Sequence, residues 1–235
     1  MWSRVLLTAL WGGLMALERR AFLQAMLSRP LVASSVTGLL LDDVSSGLYI
    51  GLVLELLHLG GASMGAAQAD HDTLPAITGA ALAAEMGRAA GTHSTQAMWA
   101  LAILVCLPLG AVGRRFEARL DRRARKYFGR AVTAAETGNS QKAARQNLRA
   151  LWPQFVLYGL TSGAGVVAGR VLASALGVFP LDLVRGLAWA YPALATGAAA
   201  IAVQGSHARH RFLAAGVAGG GVIFLGLWAW YGPAS

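Results

Sequence analysis

Charged residues are scarce in this sequence, and cysteine is almost absent. Asp, Glu, Lys and Arg make up 13% of the 235 residues, whereas hydrophobic residues make up 56%. In a water-soluble domain roughly a quarter of the residues are charged. This composition therefore excludes a soluble globular domain and a disordered or coiled-coil chain. The one cysteine, Cys106, lies in an apolar run and excludes a disulfide framework. With a mean hydropathy of +0.52, the sequence predicts an integral membrane protein.

Positive charge is concentrated in one segment of the chain. The segment from Arg114 to Arg149 holds eleven Lys and Arg residues and three acids, a net +8 out of the formal +9 of the whole chain. A basic segment between two uncharged spans is typical of a cytoplasmic loop. Because the charge is not spread over a soluble face, we do not expect nucleic-acid binding.

The basic segment also has helical periodicity. Its apolar residues recur every four positions: Phe116, Leu120, Ala124, Phe128 and Val132. Gly138-Asn139 predicts the end of this helix, and Ser140 is the predicted N-cap of a second helix that continues into the next span. The resulting amphipathic hairpin has two possible roles, either as a topology anchor on anionic lipid or as a docking surface for a soluble partner.

Four apolar runs are long enough to cross a bilayer: Thr95 to Gly113, Leu151 to Gly169, Gly186 to Gln204 and Phe212 to Trp230. The apolar stretch from Met1 to Leu17 lacks a convincing cleavage site, so we interpret it as a retained first helix and not a signal peptide. Glycine pairs at four-residue spacing, such as Gly47/Gly51 and Gly159/Gly163, predict close helix packing and oligomerisation.

The stretch from Pro30 to Ala90 differs from these spans. Its apolar pieces are short, and it holds six of the eleven carboxylates: Asp42, Asp43, Glu55, Asp70, Asp72 and Glu85. Such pieces are typical of broken or re-entrant helices that line a polar cavity. We expect a second such piece from Arg170 to Arg185.

The fold class that follows is an all-α integral membrane protein. It is a multi-span helical bundle with broken or re-entrant helices in its N-terminal half and a cytoplasmic amphipathic helical hairpin. We divide the chain into an N-terminal membrane region at 1–113, the basic hairpin at 114–150 and C-terminal spans at 151–235.

Two groups of polar residues in the broken region are candidate ligands. Glu55 has apolar neighbours on both sides, where an unpaired carboxylate costs a few kcal/mol. We predict that it binds substrate, with structural pairing to an Arg or a backbone amide as the alternative and His58 as its hydrogen-bond partner. The cluster of Asp70, His71 and Asp72 could hold a metal, a proton or sugar hydroxyls. His71 is not expected to carry a phosphoryl group, because two carboxylates flank it.

A serine motif suggests one further possibility. Gly61-Ala-Ser63-Met-Gly65 fits the G-x-S-x-G pattern, but no strand is predicted around it, and no buried histidine is expected on a later span. An intramembrane serine protease is therefore a remote alternative.

Five segments, in order and spacing, resemble one transporter family. They are Arg29-Pro-Leu-Val-Ala33, the run from Gly38 to Gly51, Leu54-Glu55-Leu-Leu-His-Leu-Gly60, Met64-Gly-Ala-Ala67 and Asp72-Thr-Leu-Pro-Ala-Ile77. The chain is similar here to the membrane subunit IIC of mannose/sorbose-type sugar phosphotransferase systems.

This resemblance implies a multi-pass protein of the bacterial inner membrane that takes up a hexose or amino sugar. Its partners would be a IID membrane subunit, in a hetero-oligomer, and soluble IIA and IIB phosphocarriers. It implies no covalent catalytic residue, no cofactor and no metal in this chain. The predicted substrate ligands are Gln24, Glu55, Ser63, Asp70, His71 and Asp72.

The sequence departs from the family pattern at two motifs. Leu41-Asp42-Asp43 stands where the family commonly has Leu-Gly-Asp, and the Pro-Pro-Asp motif is replaced around Asp70 and His71. Either the choice of substrate differs, or transport has been lost and the chain is a non-transporting membrane scaffold or sensor.

Overall fold

The computed structural model describes residues 1–21, 23–60 and 71–204, and this part of the chain is helical without any strand. Its eight helices are α1 (Trp2–Glu18), α2 (Pro30–Leu40), α3 (Val44–Gly60), α4 (Thr73–Ala89), α5 (Gln96–Cys106), α6 (Leu109–Glu136), α7 (Ser140–Leu176) and α8 (Leu181–Gln204). The predicted all-α class is confirmed. The predictions for Ser63, Asp70 and the span from Phe212 to Trp230 lie outside the described residues.

Three of the predicted spans coincide with helical segments that are long and apolar enough to cross a membrane. Within the described residues these segments are Gln96–Glu136, which comprises α5 and α6, Ser140–Leu176 and Leu181–Val203. The predicted first helix is α1, which packs against α7. Many of the large apolar side chains on α1, α7 and α8 are exposed, as expected for helices that face lipid.

The broken N-terminal half takes the form of a short helical hairpin. Helices α2 and α3 have 11 and 17 residues and pack against each other and against α4. The prediction of a second broken piece from Arg170 to Arg185 is wrong. Helix α7 continues to Leu176, and α8 begins directly after Pro180. Proline is common at the start of a helix, so Pro180 marks the beginning of α8.

The turn between α2 and α3 is a Schellman motif. The Asp43 N–H donates to the Gly38 carbonyl oxygen at 2.8 Å, and the Asp42 N–H lies 3.4 Å from the Leu39 carbonyl oxygen. Asp42 has a φ of +61°, in the left-handed region that glycine adopts without strain. Asp42 therefore occupies a backbone position that suits glycine.

The basic hairpin forms as predicted, with a shift of one residue at its second cap. Helix α6 ends at Glu136, and Gly138 has a φ of +72°. The side chain of Asn139 accepts a hydrogen bond from the Lys142 N–H at 2.9 Å, so the N-cap of α7 is Asn139 and not Ser140. An N-cap residue precedes the first residue of its helix, and Ser140 is already the first residue of α7.

Helix α4 lies at the centre of the bundle, with every residue from Thr73 to Gly87 buried. It contacts α7 at two glycines. A Cβ added at Gly165 would lie 2.7 Å from the Thr78 carbonyl oxygen, and one at Gly169 would lie 2.3 Å from the Leu82 carbonyl oxygen. The two backbones touch, and there is no room for a side chain between them.

A second pair of glycines brings α7 equally close to α1. A Cβ at Gly159 would lie 2.6 Å from the Ala9 carbonyl oxygen, and one at Gly163 would lie 3.2 Å from the Val5 carbonyl oxygen. These pairs confirm the predicted close helix packing, which occurs within one chain. Helix α7 therefore joins α1 and α4 through its small residues.

Aromatic residues hold α8 against α3 and α5. The rings of Tyr49 and Trp99 stack with centroids 4.4 Å apart, and Tyr191 packs edge-on against both. The Tyr191 hydroxyl donates a hydrogen bond to the Tyr49 carbonyl oxygen at 3.1 Å. This contact satisfies a polar group that would otherwise be buried without a partner.

We expect Gly169→Ala to destabilise the protein by about 1–3 kcal/mol, because the new methyl group overpacks the contact between α7 and α4. Gly129→Ala is the control, since a Cβ there meets nothing within 4 Å and alanine favours the helix. Thermal unfolding in detergent measures both. Equal stability of the two variants would contradict the packing role of Gly169.

At Asp42 we expect glycine to be tolerated and valine to destabilise by about 1–2 kcal/mol, because a β-branched residue is strained at positive φ. Asp42→Gly loses only an exposed ion pair with Arg88, at 2.9 Å, which contributes little. Thermal unfolding in detergent measures the stability of both variants. A valine variant as stable as the glycine variant would contradict the left-handed assignment.

Candidate functional site

A polar cleft lies where the C-terminal end of α1 meets the N-terminal end of α4. Its volume is about 400 Å³, and it is lined by Glu18, Arg19, Gln24, Met26, Ser28, Arg29 and Asp72. Gln24 and Asp72, both predicted ligands from distant parts of the sequence, therefore share one cleft. The volume lies within the range of about 300–1,000 Å³ that is typical of small-molecule sites.

Asp72 is held in place through one of its two carboxylate oxygens. Its Oδ1 accepts hydrogen bonds from an Arg19 guanidinium N–H and, at 2.8 Å, from the Thr73 N–H, so that it caps α4. The Thr73 hydroxyl in turn donates to the Ser28 carbonyl oxygen at 2.6 Å. Within the described ranges, Oδ2 of Asp72 has no hydrogen-bond partner. The carboxylate is positioned firmly and keeps an acceptor for a ligand.

The wall that carries Gln24 has unusual backbone geometry. Leu23, Gln24 and Met26 have φ values of 61°, 49° and 62°, a conformation that costs side-chain-bearing residues free energy. Glu18 holds the segment, because its carboxylate accepts from the N–H groups of Leu27 and Ser28 at 3.2 and 3.0 Å. Such strain is typical of segments whose shape serves a binding site.

Beneath the cleft lies a buried ionic layer. The Glu117 carboxylate, which is 2% exposed, lies 3.3 Å from Arg20 Nε and 3.8 Å from Arg19 Nε. Arg20 also pairs with Asp121 on the next turn of α6. A buried carboxylate needs such partners, so this layer fixes the end of α1 against the base of the basic hairpin.

His71 belongs to this layer and does not line the cleft. Its Nδ1 accepts a hydrogen bond from the Leu74 N–H at 3.1 Å, which leaves Nε2 to face Glu117 at 3.8 Å. The ring stacks on Tyr158, with centroids 4.5 Å apart. Because His71 is only 1% exposed, its contacts anchor the beginning of α4. Its role as a substrate ligand stays a prediction.

Glu55 is paired in the way that the alternative interpretation described. Its carboxylate accepts from the Leu31 N–H at 3.3 Å and lies 3.7 Å from an Arg29 guanidinium nitrogen, so it caps the N-terminal end of α2. The predicted partner His58 instead has its Nδ1 2.7 Å from the Leu54 carbonyl oxygen. These contacts favour a positioning role for Glu55 over the predicted direct contact with substrate, which no contact in the structure tests.

Three contributors to the cleft and its support were not singled out from the sequence: Glu18, Arg19 and Glu117. Glu18 and Arg19 follow the first apolar segment directly and resemble ordinary flanking charges, while Glu117 is one acid in a basic segment. Burial distinguishes the two carboxylates from ordinary surface charges, since Glu18 is 3% exposed and Glu117 is 2% exposed. Burial of these groups depends on contacts between helices far apart in sequence.

A larger cleft of about 520 Å³ lies at the opposite end of α4, between the α2–α3 turn and the Gly91–His93 segment. Its buried carboxylate is already occupied, because Asp43 accepts from the Ser45 hydroxyl and from the N–H groups of Ser46 and Ser94. Its other carboxylate, Asp42, is 81% exposed and pairs with Arg88. We place the candidate site at Asp72, because its cleft brings two predicted ligands, Asp72 and Gln24, together.

Metal ligation has no support in the part of the chain that the structure describes. No group of three or more His, Cys, Asp or Glu side chains there could hold a metal ion. The cleft beside Asp72 instead combines guanidinium, amide, hydroxyl and carboxylate groups, which suit a neutral ligand that both donates and accepts hydrogen bonds.

Two solved structures share this fold. One is described as the structure of a membrane protein, with a TM-score of 0.70 and 20% identity over 97% of this chain and 92% of that one. The other is the mannose transporter ManYZ in complex with microcin E492, with a TM-score of 0.61 and 20% identity over 100% of this chain and 89% of that one. The chain is thus an all-helical membrane protein.

Sequence comparison identifies the family. A curated relative, the PTS system sorbose-specific EIIC component of Klebsiella pneumoniae, is 32% identical over 118 residues, which are 50% of this chain and 38% of that protein. The matched region therefore spans well under half of the relative's length. The family described as PTS system sorbose-specific IIC component matches residues 2–204, and with the match extending through all eight helices, this chain belongs to that family.

Proposed function

We propose that this chain is the membrane permease subunit IIC of a phosphoenolpyruvate-dependent sugar phosphotransferase system of the mannose/sorbose type. It binds a hexose or amino sugar and translocates it across the bacterial inner membrane. Family membership over residues 2–204 supports this proposal. The observation that carries it is the cleft in which Asp72 keeps one carboxylate oxygen for a ligand.

The chemistry of the cleft suits a sugar. A sugar hydroxyl both donates and accepts, so its site needs acceptors and donors close together. Asp72 supplies an acceptor, the guanidinium groups of Arg19 and Arg29 supply donors, and the amide of Gln24 supplies both. Ser63 and Asp70 remain proposed ligands, Asp70 because it lies only two residues before Asp72.

The proposed division of labour leaves the chemical step to partners. Soluble IIA and IIB proteins carry the phosphoryl group, and IIB transfers it to the sugar that this chain delivers. A IID membrane subunit completes the transport unit. In this scheme the buried layer around Glu117 and His71 positions the cleft and has no part in covalent chemistry.

We expect hexoses or amino sugars to raise the melting temperature of the full chain co-purified with a IID-type subunit, because a ligand stabilises the state that binds it. In Asp72→Asn, sugar affinity should fall about tenfold to a hundredfold, since a hydrogen bond to a charged group contributes about 1.5–3 kcal/mol. Asparagine is chosen because it caps helices as well as aspartate does.

The matched control for this experiment is Asp182→Asn at the exposed beginning of α8, which should bind sugar like the wild type. Unchanged affinity in Asp72→Asn would contradict the site. A complex that forms but shows no sugar-dependent shift would contradict transport and favour a non-transporting scaffold.

The variant Glu55→Gln tests whether Glu55 contacts the sugar directly or only positions α2. Glutamine can still accept from the Leu31 N–H, so we expect sugar affinity to fall less than threefold, well short of the loss in Asp72→Asn. Titration of both variants by the same thermal shift measures the difference. Complete loss of binding in a normally folded Glu55→Gln variant would instead make Glu55 a direct ligand.

A further inference from the structure

A second polar cleft, far from Asp72, is lined mainly by arginine. It lies where the N-terminal end of α1 meets the C-terminal parts of α4 and α7, and its volume is about 400 Å³. Arg4, Arg88 and Arg170 come to it from these three helices, together with Glu85 and Ser174. The charged lining is therefore three guanidinium groups and one carboxylate.

Two of the three arginines already have acidic partners. Arg4 lies 2.8 Å from the carboxylate of Glu85, which is 1% exposed. Arg88 lies 2.9 Å from Asp42 and donates to the Leu41 carbonyl oxygen at 3.3 Å. These pairs fix both side chains at the edge of the cleft.

Arg170 is different, because no carboxylate pairs with it among residues 1–21, 23–60 and 71–204. Its one hydrogen-bond contact there is to the sulfur of Met1, at 3.8 Å. It lies six residues before the end of α7, outside the last turn where helix carbonyl groups attract cations. Its charge is thus uncompensated by the groups around it.

The remaining segments of the chain offer little to neutralise Arg170. Residues 61–70 and 205–235 contain one acidic side chain, Asp70. Asp70 adjoins His71 at the N-terminal end of α4, whereas Glu85 is twelve residues further along α4 than Thr73, a rise of about 18 Å. The described part of the chain therefore leaves Arg170 available to an external anion.

The surroundings of the cleft indicate the kind of anion. The two helices that bring Arg4 and Arg170 to the cleft also expose large apolar side chains near the same ends: Trp2 on α1 is 75% exposed, and Val171 on α7 is 63% exposed. Arginines and aromatic residues near the ends of lipid-facing helices are typical of the boundary between acyl chains and headgroups. A guanidinium group binds a phosphate through two parallel hydrogen bonds. The Ser174 hydroxyl already donates to the Val171 carbonyl oxygen at 2.6 Å, so the donors of this cleft are its arginines.

We propose that the cleft formed by Arg4, Arg88, Arg170 and Ser174 binds the phosphate group of an anionic phospholipid. This site lies at the opposite end of α4 from Asp72 and does not depend on sugar binding. A soluble phosphate shares the same chemistry, so the test compares the two sources. The lipid is favoured by the exposed apolar side chains near the same helix ends.

The test uses the full chain purified from membranes in a neutral detergent. Native mass spectrometry and thermal unfolding are measured with phosphatidylglycerol, with phosphatidylcholine of the same acyl chains, and with inorganic phosphate. We expect phosphatidylglycerol to bind and to raise the melting temperature, and Arg170→Gln to weaken this binding about tenfold, as the loss of one charge-assisted contact would.

Two further variants control for charge and folding. Arg185→Gln removes an equal charge at an exposed position, where Arg185 lies 3.9 Å from Asp182, and should bind like the wild type. Arg170→Lys keeps the charge but loses the paired hydrogen bonds of the guanidinium group, so its affinity should lie between those of the wild type and Arg170→Gln. Equal binding by wild type and Arg170→Gln, or equal weakening in Arg170→Gln and Arg185→Gln, would overturn the proposal. A response to inorganic phosphate alone, lost in Arg170→Gln, would overturn the lipid assignment.

Discussion

The close approach of α7 to α1 and α4 is the constraint on which the rest of the structure depends. Four glycines, Gly159, Gly163, Gly165 and Gly169, let the α7 backbone touch carbonyl oxygens of both neighbours. In a lipid environment, where burial of apolar surface contributes little between helices, such contacts supply van der Waals packing. They place the ends of α1 and α4 side by side, and the clefts at Asp72 and at Arg170 lie at those ends.

Ion pairs at both ends of α1 then join the packed helices and supply polar groups to the clefts. At one end, Arg19 joins α1 to α4 through Asp72 and to α6 through Glu117. At the other end, Arg4 joins α1 to α4 through Glu85. Each pair links helices that are distant in sequence, and a partner removed from such a buried pair leaves a costly charge behind. The same pairs that stabilise the bundle therefore shape the walls of its clefts.

Local sequence signals accounted for most of the helices and turns. The Gly138-Asn139 pair ended one helix and began the next, with an error of one residue in the cap. The left-handed backbone of Asp42 was not predicted from the sequence, because aspartate adopts this conformation less often than glycine does. The interpretation of residues 170–185 as a broken piece failed because Pro180 directly precedes the first residue of α8 and does not interrupt a helix.

The sequence by itself determined the all-helical membrane class, the basic hairpin, the broken N-terminal half and the family, since these follow from composition, periodicity and motif order. Only the tertiary structure decided how each carboxylate is used. It brought Gln24 and Asp72 into one cleft, paired Glu55 with Arg29 and buried His71 against Tyr158. The physical reason is that the role of a charged group depends on its burial and its partner, and both come from helices far along the chain.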